Sequence, residues 1–204
     1  MACRPMRLFD YKSDPLITAT SEQTGWRQLR GIGIGPRAGR VITYASILAM
    51  LTACLLPFWF GADPIAELKN VFQAYGTAVV LSVIFLGIAI SVPLHEAVHI
   101  LVHPDHGTSD ATVVGIYPAM AFTIYSEEMS FRRFLACLLA PLLVLGIGLL
   151  SLYYAFPQVR VILAMFLLFH LLMCLGDVFL ALQLVTTRDR FKRVWNRGTC
   201  LLVK

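Results

Sequence analysis

The pentapeptide HEAVH at residues 95–99 sets two histidines four residues apart with a glutamate directly after the first. On an α-helix that spacing turns both imidazoles to one face, close enough to grip a single metal ion. Two neutral imidazoles leave zinc strongly Lewis acidic, and the adjacent carboxylate can take a proton from the water that zinc activates. His95 and His99 are therefore expected as metal ligands, Glu96 as the catalytic general base and Zn2+ as the cofactor.

A catalytic zinc site takes a third protein ligand and keeps one position open. Asp177, in MCLGDVF, is the only acidic residue between Glu128 and Asp189 and needs a partner inside an apolar run. Counted from one end of their runs, His95 lies about 19 residues in and Asp177 about 18, in the same direction. At about 1.5 Å of rise per residue the two reach the same level, so they can meet. The rivals are His103, which continues the four-residue series, and His106 in the following HPDHG turn. His103 lies about 6 Å further along the helix axis than His99, which suits one tetrahedral ion poorly. His170, two turns before Asp177, and His103 are candidates for supporting a ligand or the substrate. Pro93 and Pro141 are expected to kink their helices and open backbone groups toward the site.

The elements that must carry these residues are apolar. The chain has 204 residues, 58% hydrophobic and 14% charged, with mean hydropathy +0.73, too apolar for a soluble domain of this size. Four runs at residues 41–60, 76–103, 134–156 and 159–185 reach the roughly 20 residues that a bilayer core requires. Ionisable groups within such runs cost roughly 2 to 3 kcal/mol each, so the motif marks function. The expected fold class is an all-α integral membrane protein with about four transmembrane helices.

Seven of the seventeen basic residues precede residue 41 and six follow residue 185, which predicts cytoplasmic amino and carboxyl termini. The net charge of +5 sits at the ends of apolar runs and not along one polar face, which argues against nucleic acid. Cys3, Cys54, Cys137, Cys174 and Cys200 are odd in number and form no CxxC pair, so no disulfide framework is expected. No cleavable signal peptide is read in the first forty residues. Gly31, Gly33 and Gly35 lack the flanking elements of a phosphate loop and read as a hinge.

Runs at residues 112–117 and 122–125, rich in Thr, Val, Ile, Phe and Tyr, predict a small β-hairpin in the cytoplasmic connection between the second and third spans. One domain is expected, with a cytoplasmic arm over 1–40, a membrane metallopeptidase domain over 41–187 and a basic cytoplasmic tail over 188–204.

PLHEAVHILVH, the strand-like segment after it, FRRFLACLLAP and the late LGD together resemble a family of membrane zincin peptidases and, more distantly, the site-2 intramembrane metalloproteases. The resemblance covers roughly residues 76–185. It implies a zinc site built from His95, His99 and Asp177, with Glu96 as base. Site-2 proteases typically carry Asp-Gly within a longer motif containing Asn and prolines, whereas this chain has Gly176-Asp177, and no inserted PDZ-like domain is seen.

The function expected is zinc-dependent hydrolysis of peptide bonds in or beside the membrane, near its cytoplasmic face, with a membrane protein or peptide as substrate. The alternative is a non-hydrolytic metal-binding, carrier or assembly protein using the same ligands; a pure binding site has no need of Glu96. A third reading is a structural membrane protein without metal. A prokaryotic cytoplasmic membrane is the expected location, and the oligomeric state stays open.

Overall fold

The computed structural model describes residues 7–9, 27–28, 63–117, 120–186, 191–196 and 201–204. A short helix α1 (Pro64–Tyr75) leads into three long helices, α2 (Thr77–Val102), α3 (Phe131–Ala155) and α4 (Arg160–Thr186). Each long helix is long and apolar enough to cross a membrane, which makes the chain a membrane protein with three candidate spans among the described residues. The run at 41–60, expected as a further span, lies outside the described residues.

Local sequence explains the helix boundaries. Asp63 accepts hydrogen bonds from the amides of Ile65 (3.1 Å) and Ala66 (3.0 Å), Pro64 follows at the first helical position, and both suit a helix start. Gly76, at φ +82°, closes α1 and opens α2, a conformation that glycine adopts without steric cost. This segment reads from sequence as a plain connection, although its Asp-Pro start and Gly end are helix signals. Ser130 caps α3 by accepting from the Arg133 amide.

Each long helix buries one stripe and exposes the rest. In α4 the buried residues Ile162, His170, Cys174, Ala181 and Leu184 recur at helical spacing, and in α3 Phe134, Cys137, Leu138 and Pro141 do the same. Large apolar side chains face outward, including Phe85, 73% exposed, and Ile147, 61% exposed. Because lipid is as apolar as a protein core, outward residues need no polarity, and the buried stripe is marked by its polar members. Helix α3 packs most extensively on α4 and next on α2. Gly87 of α2 leaves room for the Phe166 ring of α4, where a Cβ would collide.

Two small sheets accompany the helices, one more than the single hairpin expected. In the first, β1 (Arg7–Phe9) runs parallel to β3 (Thr112–Tyr117), which pairs antiparallel with β4 (Met120–Tyr125), in the order β1-β3-β4. The β3–β4 pair corresponds to the hairpin expected from composition. The second sheet has the order β2-β7-β6-β5, built from β2 (Arg27–Gln28), β5 (Glu128–Ser130), β6 (Arg193–Asn196) and β7 (Leu201–Val203). The segment after residue 188, expected as a basic tail, thus contributes two strands, with Val194, Leu202 and Val203 wholly buried. Its charges mask an apolar set that is recognisable only once it pairs: Val194, Leu201 and Val203 join Phe134, Leu138 and Leu184 of α3 and α4 in one core.

This packing makes the carboxyl terminus structural. Leu201→Ala is expected to destabilise the detergent-solubilised protein by about 2–5 kcal/mol, whereas Phe85→Ala on the lipid-facing side should change it by no more than about 0.5 kcal/mol. Thermal unfolding of the two variants checks the contrast.

Candidate metal centre

His95 and His99 lie one turn apart in the last third of α2 and are 4% and 7% exposed. Their Nε2 atoms are 3.2 Å from each other. Asp177 comes from α4, and its Oδ2 lies 3.2 Å from Nε2 of His95 and 3.4 Å from Nε2 of His99. Three donor atoms therefore form a nearly equilateral triangle. A tetrahedral zinc with ligand bonds of about 2.0–2.1 Å holds its donors about 3.3 Å apart, so the two imidazoles and the carboxylate match three corners and leave the fourth free. The three residues are a group that could hold a metal ion.

The orientation of His99 follows from a proline. Pro141 has no N–H, so the carbonyl four residues earlier in α3, that of Cys137, loses its helical donor. Nδ1–H of His99 donates to that carbonyl at 2.8 Å. With Nδ1 protonated, the Nε2 lone pair points at the triangle, the arrangement by which a ligating histidine is fixed in tautomer and angle. Pro141 is itself fully buried, and its own carbonyl accepts from Nε2–H of His170 at 3.0 Å. His170 thus stands beside the site, its ring 5.8 Å from that of His95.

Cys137 and Cys174 escape sequence reasoning, which weighed the cysteines only as disulfide formers. Both are buried free thiols. Their signal is positional: Cys174 is four residues after His170 and three before Asp177, on one stripe of α4. Glu96, half-buried on α2, follows His95 by one residue and precedes His99 by three.

A zinc-type donor set within a bundle of helices long and apolar enough to cross a membrane defines a class of site, and sequence comparison names the family. The profile of the family described as "Putative zincin peptidase" matches residues 88–191, a stretch that includes HEAVH, Pro141 and Asp177. The chain belongs to that family. No curated protein and no solved structure matches it.

His103 and His106 take other partners. Nδ1 of His103 is 3.0 Å from the Thr112 hydroxyl, and its ring meets Tyr125 edge-on at 5.4 Å. His106, at φ +51°, donates from Nδ1 to the Leu101 carbonyl at 2.6 Å. Arg133 donates from Nε to the Val102 carbonyl at 2.9 Å and from Nη2 to that of His103 at 3.0 Å. These bonds satisfy carbonyls that the end of α2 would leave orphaned, and they tie the motif helix to α3 and the sheet.

Burial, with the nearby positive charge of Arg133, lowers the pKa of His103 from 6.5 to about 4. A lowered folded-state pKa means that the unfolded chain binds this proton more tightly. The stability it contributes is complete above about pH 6.5 and is lost as pH falls through about 4. His103→Asn, which keeps a donor toward Thr112, should flatten the fall in thermal midpoint across that window. An identical pH profile in the variant would contradict this assignment.

Proposed function

We propose that the chain is a zinc-dependent membrane peptidase in which His95, His99 and Asp177 hold the metal and Glu96 is the general base. The observation that carries this reading is the triangle of donor atoms with edges of 3.2, 3.2 and 3.4 Å, matched to a tetrahedral ion with one corner free. Zinc bound there would polarise a scissile carbonyl and acidify water. Glu96 accepts the proton of the attacking water and passes it to the departing amine. Metal binding would need Asp177 and the Nε2 atoms of both histidines free of protons, and the Cys137 carbonyl favours this at His99 by taking its Nδ1–H.

The substrate class proposed is a membrane protein or membrane-proximal peptide. A helical substrate hides its carbonyls in its own hydrogen bonds and must be extended before attack. Strand β4 supports such a role, because β3 lies between β1 and β4 and the outer edge of β4 has no partner strand among the described residues. An extended peptide adding to that edge would present its main chain in a fixed register. The charge distribution supports a site opening toward the cytoplasm: the positive-inside rule assigns to that side the basic residues before residue 41 and after residue 185, and Arg133 at the motif end of the bundle. The metallopeptidase domain proposed is 41–187, with cytoplasmic flanks, in a prokaryotic cytoplasmic membrane.

Elemental analysis of detergent-purified protein tests the metal assignment. About one zinc per chain is expected in wild type, lost in His95→Ala and Asp177→Ala and kept in Glu96→Gln, and a wild type that takes up no zinc refutes it. Once a substrate is found, Glu96→Gln should slow turnover by at least about a hundredfold; bound zinc with turnover indifferent to Glu96 would favour a carrier or assembly role. Ile124→Pro, in β4, is expected to impair cleavage with zinc content intact, and unchanged cleavage would remove the strand as template.

A further inference from the structure

On the far side of His95 from the ligand triangle, three buried groups converge. Sγ of Cys174 lies 4.0 Å from Nδ1 of His95 and 3.4 Å from Nε2 of His170. Cys174 and His170 are each 1% exposed. The trio has the donor types of a second metal site, but the hydrogen bonding argues against one. Nε2 of His170 carries the hydrogen given to the Pro141 carbonyl, and a nitrogen that donates has no lone pair left for a metal.

The same bonds suit a different task. If His95 offers Nε2 to the metal, its Nδ1 must carry a hydrogen, and in a buried site that hydrogen needs an acceptor. His99 meets this need with the Cys137 backbone carbonyl. Among the described residues the partner of His95 Nδ1 is the Cys174 sulfur. We infer that Cys174 is a positioning residue for the metal centre: its sulfur accepts Nδ1–H of His95 and lies in contact with the His170 ring. The inference rests on the zinc assignment above and adds a residue to it.

The two histidines then differ in a testable way. Each has a cysteine sulfur near Nδ1, that of Cys137 being 3.8 Å from His99. Removing the Cys137 sulfur leaves its carbonyl, and hence the support of His99, in place, whereas removing the Cys174 sulfur strips His95 of its acceptor.

Zinc affinity by chelator competition, with ligand-field absorption of the cobalt-substituted protein, reads the difference. Cys174→Ala should weaken zinc about ten- to a hundredfold and shift the cobalt bands. Cys137→Ala should stay within about twofold of wild type, and Cys174→Ser, which keeps an acceptor oxygen, should hold zinc more tightly than Cys174→Ala. Zinc binding in Cys174→Ala within twofold of wild type overturns the inference. So does an equal loss in both alanine variants, which would report packing, and so does a second zinc equivalent that vanishes with Cys174. A wild type that retains no zinc fails at the earlier step and refutes the metal assignment itself.

Discussion

Two imidazoles and a carboxylate meet within about one hydrogen-bond length inside helices whose other residues are nearly all apolar. Removing such groups from water is unfavourable unless each finds a partner, and the penalty rises as the surroundings become less polar. Much of the described bundle can be understood as meeting that requirement. The three donor atoms face one another at the spacing a tetrahedral ion would need, and the atoms on the far side of each imidazole meet acceptors from neighbouring helices.

Those acceptors arise in different ways. Pro141 cancels one hydrogen bond of α3, and the carbonyl it frees lies where Nδ1 of His99 needs it. A bond lost to the helix becomes a bond gained by the site. The sulfur of Cys174 is a softer and longer partner for His95, placed by the same stripe of α4 that delivers Asp177. The two histidines of one motif are therefore held by unequal means, one by main chain and one by a side chain.

The ends of the bundle are secured separately from its middle. Arg133 reaches from the first turn of α3 to the final carbonyls of α2, which sets the axial position of the motif against its neighbours. The second sheet closes the same end, and the Phe131 amide donates to the Lys192 carbonyl at 2.9 Å, so the start of α3 is bound to the strand segment at the carboxyl terminus. A salt bridge between Glu128 and Arg193 joins β5 to β6. At the opposite end Val71 of α1 packs against Val80 and Ile162, and the Arg160 guanidinium lies over the Tyr153 ring.

What the amino-acid sequence determined by itself is what local spacing and length can encode. A four-residue spacing puts both histidines on one helix face, 1.5 Å of rise brings His95 and Asp177 to a common depth, long apolar runs mark the three described spans, and runs of β-branched and aromatic residues mark the β3–β4 pair. What only the tertiary structure decided depends on which faces meet. Cys137 and Cys174 are 38 and 79 residues from the histidines they approach, and nothing in their local sequence shows that contact. The strands after residue 188 look like a charged tail because their burial comes from partners on α3, α4 and β2. Periodicity is a property of one element, whereas a hydrogen-bond acceptor or a buried edge exists only when a second element supplies it.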